Sequence, residues 1–204
     1  MVRKEMQMLY GKEANLRSTG QCEAIYEMLL RHNDMQVVLG TGAGKTTPVI
    51  IAGLLDQATT VLAVPLKVLM EDAVCKLQRA GIEHHVWREG QIPSSARVVI
   101  VSYDHIGSAS WKEAITSHHF GSPYPVTCFM LDEAHSRFMQ ISFRLSMENV
   151  WKARMFNAQL ITLTATLPPA AEDRLTKLLS TAQLGVEPQF RPSQTGGLPP
   201  TNVA

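Results

Sequence analysis

At 204 residues the chain is long enough for one α/β domain with a substantial buried core and short for two. A content of 45% hydrophobic and 18% charged residues excludes wholesale disorder. The formal net charge of +1 excludes a strong global pull toward polyanions, so contact with nucleic acid has to come from local loops.

Residues 1–15 read as an N-terminal extension. Hydrophobic periodicity then predicts a helix over 18–31 with Ser18 as its cap, a strand over 35–39, a helix over 45–56 and a strand over 60–64. A helix over 67–80, stopped by Gly81, leads to strands over 84–87 and 97–101. A helix over 108–118, a strand over 126–131, a helix over 143–156, a strand over 159–163 and a helix over 169–181, opened by Pro168-Pro169, complete the pattern. Apolar strands alternating with helices predict an α/β fold, a mainly parallel sheet with helices on both faces in three layers. Segment 185–204 holds four prolines and three glycines with little apolar content, so it reads as a flexible tail and leaves 16–184 as the folded domain.

Cys22, Cys75 and Cys128 form no CxxC pair. They fit a reducing compartment, argue against structural zinc, and are expected to be buried small apolar residues. The pairs His84-His85 and His118-His119 have no carboxylate or cysteine at ligand spacing and read as structural or surface residues. The start of the chain lacks the apolar run of a secretory signal, and no stretch approaches the ~20 apolar residues of a membrane span. An intracellular, soluble protein with no membrane partner is expected.

Leu39-Gly40-Thr41-Gly42-Ala43-Gly44-Lys45-Thr46-Thr47 follows an apolar strand and opens a helix, the context a phosphate-binding loop requires. Glycines let successive backbone N–H groups turn toward phosphate oxygens at a helix N-terminus. Lys45 is expected to reach the β- and γ-phosphates of ATP, and the Thr46 hydroxyl to ligate Mg²⁺. The strict GxxxxGK[ST] pattern fails at Leu39, where it has glycine.

Cys128-Phe129-Met130-Leu131-Asp132-Glu133-Ala134-His135 is an apolar strand ending in two carboxylates. In a parallel sheet the carboxyl ends of the strands share one crevice, so both acids can meet the nucleotide at Lys45 and Thr46. Asp132 is expected to hold Mg²⁺, directly or through water, and Glu133 to orient and deprotonate the attacking water.

With these two motifs the segment from about Leu16 to Pro168 resembles the first RecA-like lobe of a DEAH-type superfamily 2 helicase, a P-loop NTPase fold. The resemblance implies that His135 links the ATP site to Thr164-Ala165-Thr166, coupling hydrolysis to strand movement through Thr164 and Thr166. It is closest to the RecQ-like ATP-dependent DNA helicases. Val64-Pro65-Leu66-Lys67-Val68-Leu69-Met70-Glu71-Asp72-Ala73-Val74, with Leu77-Gln78 and Gly81, resembles that group's SPLxSLMxDQVxxLxxxG segment, which implies contact between Pro65, Leu66, Lys67 and a nucleic-acid backbone, with DNA favoured over RNA. The same stretch also reads as an amphipathic helix turning Leu66, Leu69, Met70, Val74 and Leu77 inward. Upstream, Leu16-Arg17-Ser18-Thr19-Gly20-Gln21 resembles the FRxxQ-type element that hydrogen-bonds adenine, giving Gln21 and Arg17 cofactor-binding roles. An amide suits both a donor and an acceptor on the base.

After DEAH the RecQ-like group carries an aromatic-rich loop with a tryptophan; Ser136 to Arg144 lacks it, only Phe143-Arg144 resembles the group's FR pair, and Phe138 can still offer a stacking face. Nothing within the 204 residues resembles the second motor lobe, whose arginines reach the γ-phosphate and are worth on the order of 10³–10⁵ in rate. The expectation is therefore an ATP- and Mg²⁺-binding lobe with weak hydrolysis and no unwinding unless a second lobe or a protein partner acts in trans. A nuclear location follows from the resemblance alone. Two other readings stand beside it: an RNA helicase lobe of DEAH or DExH type, and a non-catalytic ATP-binding or interaction module.

Overall fold

The computed structural model describes residues 19–31, 34–40, 42, 44–55, 57–91, 96–106, 108–117, 124–134 and 158–166. The extension 1–15, Ser18, His118-His119, Phe138, the helices expected over 143–156 and 169–181, Pro168-Pro169 and the tail 185–204 lie outside the described residues.

Six parallel strands form one sheet: β1 Met35–Val38, β2 Thr59–Val64, β3 His84–Val86, β4 Val98–Ser102, β5 Val126–Asp132 and β6 Gln159–Thr164, in the order β1-β6-β5-β2-β4-β3. The helices among the described residues are α1 Thr19–Leu30, α2 Thr47–Leu55, α3 Lys67–Arg79, the short α4 Tyr103–Ile106 and α5 Ala109–Thr116. Central strands β2 and β6 are buried at every position, as expected for strands covered on both sides, whereas β1 and β3 at the sheet edges are only partly buried.

Strand alternation divides the core in two. Leu62, Val64, Ile100, Cys128, Met130 and Ile161 face α1, α2 and α3, meeting Ala24, Met28, Val49, Ile50, Ala73 and Leu77. Val61, Ala63, Val101, Phe129, Leu131 and Leu160 face α4 and α5, meeting Tyr103, Ile106, Trp111 and Ile115. This is the expected three-layer α/β arrangement. Trp87 closes the second layer: it lies edge-on to Trp111 with ring centroids 5.1 Å apart, and its indole N–H donates to the Gln91 carbonyl at 3.0 Å.

Several local expectations need correction. Helix α2 begins at Thr47 rather than Lys45, because the Thr47 N–H donates to the Gly44 carbonyl at 2.9 Å and leaves Lys45 and Thr46 in the preceding turn. Leu66 is 58% exposed: it is the extended N-cap residue of α3 (φ −133°, ψ 144°), off the stripe that Leu69, Met70, Ala73, Val74 and Leu77 turn toward the sheet. Cys22 and Cys75 are exposed, and only Cys128 is buried. The inward faces of α1 and α3 are taken by residues three and four apart, and Cys22 and Cys75 fall off those stripes. Helix α4 is an additional turn between β4 and α5. Gly81 does stop α3, with φ +66° and its N–H on the Gln78 carbonyl at 3.0 Å, followed by Ile82 N–H on the Leu77 carbonyl at 3.0 Å. No helix among the described residues is long and apolar enough to cross a membrane.

Helix α2 is buried from Thr47 to Gly53, and Gly53 sets how closely it can lie on the sheet. A Cβ there would stand 2.9 Å from Ile82 Cγ2 and 3.2 Å from Val98 Cγ2, and neither β-branched side chain has freedom to retreat. We expect Gly53→Leu to cost about 3 kcal/mol through overpacking, despite leucine's higher helix propensity. A urea melt should show the midpoint fall; an unchanged midpoint would mean that α2 does not pack this closely.

Candidate nucleotide-binding site

The register of the sheet decides where chemistry can gather. Val38 at the end of β1 pairs with Thr164 of β6, and Leu163 of β6 pairs with Asp132 of β5. The ladder runs one step further, with the Leu39 N–H donating to the Thr164 carbonyl at 2.9 Å. The loop after β1, the end of β6 and the acidic turn after β5 therefore leave the sheet at one level, on the carboxyl edge where open α/β sheets bind ligands.

In the first loop Gly42 and Gly44 have φ of +78° and +81°, a conformation L side chains resist. Gly44 also has no room: a Cβ would lie 2.6 Å from Gln21 Nε2 and 3.0 Å from Thr47 Oγ1. Gln21 is buried to 1% exposure, and its Nε2 donates to the Gly44 carbonyl at 3.1 Å. It braces the loop from α1 rather than sitting as a solvated residue on a first helical turn.

Across the crevice Lys45 Nζ lies 2.7 Å from Glu133 Oε1, with side chains only 14% and 22% exposed. This contact joins the two motifs directly. Glu133 holds φ +49°, which costs a non-glycine residue on the order of 1–3 kcal/mol. Two hydrogen bonds hold the turn: Glu133 N–H donates to Asp132 Oδ1 at 3.0 Å, and the Tyr103 hydroxyl donates to the Asp132 carbonyl at 2.8 Å. Burial, with the Glu133 charge adding to it, pushes the Asp132 carboxyl up to about 6, against the opposing pull of Lys45, its bond to the Glu133 N–H and Lys76.

The third strand end contributes Thr164, fully buried, whose hydroxyl donates to the Thr166 carbonyl at 2.7 Å, and Thr166 itself, which is exposed. Gly40 opens the first loop with nothing within 4 Å of its Cβ position. Pro65 is buried where β2 ends, and Leu66 and Lys67 follow it at the surface, on the same edge of the sheet. Arg17, Thr41, Ala43 and His135 lie outside the described residues.

Two contributors escaped the sequence reading. Lys76 on α3 donates to Thr46 Oγ1 at 3.4 Å, and Tyr103 braces the acidic turn. Tyr103 ends β4's run toward the carboxyl edge, so the rule that ligand crevices lie there could have flagged it. For Lys76 the sequence offers only an i, i+4 acid-base pair with Asp72.

The residues present fit a nucleoside triphosphate with a hard divalent cation. The loop has the positive-φ glycines that let backbone approach phosphate, Lys45 supplies a point charge, and Thr46 and Asp132 supply the oxygen donors that Mg²⁺ prefers.

A parallel sheet with a glycine-rich loop and an acidic strand end converging on its carboxyl edge defines the RecA-like class of nucleotide-binding domains. The sequence model of the DEAD/DEAH box helicase family matches residues 18–174, and the chain belongs to that family. Among solved structures it is similar to S. cerevisiae Dbp5, in a variant bound to Nup159, Gle1, IP6 and ADP. The TM-score is 0.62 at 17% identity, covering 89% of this chain and 50% of the other. The chain thus spans about half the length of that neighbour, and the likeness is one of fold.

A phosphate in the crevice would compete with Glu133 for the Lys45 ammonium. We expect Glu133→Gln, which removes the charge and keeps the shape, to lower the Kd for ATP·Mg²⁺ by about fivefold, the equivalent of ~1 kcal/mol. Titration of a fluorescent ATP analogue measures this; weaker binding would show that Glu133 helps hold nucleotide rather than competing for Lys45.

Proposed function

We propose that this chain is the ATP-binding lobe of a nucleic-acid helicase, holding ATP·Mg²⁺ in the crevice between the β1 loop and the β5 turn. The 2.7 Å contact between Lys45 and Glu133 carries this reading, because it puts the candidate phosphate-binding ammonium and the candidate general base within hydrogen-bond distance of each other. The ADP in the Dbp5 complex supports a nucleotide as the ligand.

In this reading Gly40, Thr41, Gly42, Ala43, Gly44 and Thr47 form the phosphate cradle, with Arg17 and Gln21 at the base. Gln21 would read adenine through its amide, which offers both a donor and an acceptor group. Mg²⁺ would be held by Thr46 and Asp132 and would neutralise charge on the transferred phosphate. Glu133 would take the proton of the attacking water once Lys45 has left it. Thr164, Thr166 and His135 would pass the state of the site toward bound strand. Hydrolysis by this lobe alone is slow in the absence of arginines from a second lobe or a partner in trans.

The strand itself would meet the surface at Leu66 and Lys67, with Pro65 buried behind them. The finer reading, a RecQ-like DNA helicase, rests on the resemblance of residues 64–81 alone. The family match extends over residues 18–174 under the DEAD/DEAH box description, so RNA is the second reading. Competition between single-stranded DNA and RNA of equal length decides: displacement by DNA at lower concentration is expected for the RecQ-like reading, and preference for RNA overturns it.

ATP·Mg²⁺ should raise the melting temperature of the chain, and Lys45→Ala should abolish that rise while leaving the ligand-free melting temperature within a few degrees of the wild type. A full-size shift in the variant would remove the nucleotide site from this crevice.

A further inference from the structure

Lys76 stands apart from the motifs but not from the site. It projects from the last turns of α3, and its ammonium is shared between two oxygens. One is the Thr46 hydroxyl at 3.4 Å, and the other is Oδ2 of Asp72, one turn earlier on the same helix. Its charge also reaches the Asp132 carboxyl. Two ammonium groups, Lys45 and Lys76, thus face the two carboxylates of the acidic turn, Asp132 and Glu133.

We propose that Lys76, anchored on Asp72, sets the Mg²⁺ requirement of the site by lying against the Thr46 hydroxyl until the metal takes that oxygen and leaves the ammonium to Asp72 alone. The inference rests on the reading of Thr46 and Asp132 as the metal's ligands. A threonine oxygen has two lone pairs, and Mg²⁺ demands one of them at about 2.0–2.1 Å with near-ideal octahedral geometry. An ammonium bonded to the same oxygen competes for that electron density and repels the incoming cation through a partly desolvated space. Asp72 gives the displaced ammonium somewhere to go. Its carboxylate already touches Lys76, both side chains are about half exposed, and a lysine stem is flexible enough to swing without moving the helix.

The arrangement predicts opposite effects from two surface substitutions. Lys76→Met should lower the Mg²⁺ concentration at half-saturation of ATP binding by about fivefold, because the competitor is gone. Asp72→Asn should raise it by a similar factor, because the displaced ammonium loses its charged acceptor. With metal chelated by EDTA, Lys76→Met should bind ATP more weakly than the wild type, since a cation facing the phosphates has been removed.

The test uses the full chain, a fluorescent ATP analogue read by anisotropy, and MgCl₂ titrated from zero, with no turnover required. Shifts of opposite sign in the two variants support the proposal. An unchanged or raised Mg²⁺ midpoint in Lys76→Met overturns it and leaves the nucleotide site standing. A wild type that binds no analogue at any Mg²⁺ concentration overturns both.

Discussion

Lys45 and Glu133 are far apart in the chain and touch because the sheet is parallel. Reversing one strand among β1, β6 and β5 would carry a loop to the opposite edge and empty the crevice. The pairings of Val38 with Thr164 and Leu163 with Asp132 are therefore the constraint on which the site depends. That register is fixed in turn by burial: a slip of one residue would turn Met130 and Ile161 away from α2 and α3 and toward α4 and α5, exchanging the two halves of the core. The packing that stabilises the fold and the geometry that assembles the site are the same set of contacts.

Groups of opposite charge are paired inside that geometry. Lys45 sits on Glu133, and Lys76 lies between Asp72 and the Thr46 hydroxyl, so the groups proposed for phosphate and metal already have partners. Binding of ATP·Mg²⁺, as proposed, would be an exchange of partners. In the proposed reading the phosphates would take Lys45, Glu133 would be released toward water, and Lys76 would stay on Asp72 alone. The strained backbone of Glu133, held by Tyr103 through the Asp132 carbonyl, keeps the acid in place during the exchange.

Strand positions were legible in the sequence to within a residue at each end, because parallel strands buried on both faces appear as unbroken apolar runs such as TTVLAV and CFML. The phosphate loop and the acidic strand end were legible as well, since a glycine-lysine-threonine turn and paired carboxylates each need a particular backbone context. What the sequence hid depends on facing direction and distance. Leu66 looked like part of an inward stripe and proved to be the exposed residue that starts α3. Two of the three cysteines face outward because a helix offers burial to one side only. Gln21 as a loop brace and Lys76 as a neighbour of Thr46 arise from contacts between elements that no local pattern encodes. The preference for DNA or RNA belongs to the same category, because it depends on the shape of a surface rather than on a motif.

The central claim is that one triphosphate and one divalent ion sit between the β1 loop and the β5 turn. A crystal structure with a non-hydrolysable ATP analogue and Mn²⁺ in place of Mg²⁺ tests it most directly, because the anomalous signal of manganese locates the ion without reference to the protein. The account predicts a single strong peak between Thr46 Oγ1 and the Asp132 carboxylate, with Lys45 turned from Glu133 to the phosphates. Manganese and phosphates found against any other surface, with the Lys45–Glu133 pair intact, would contradict it.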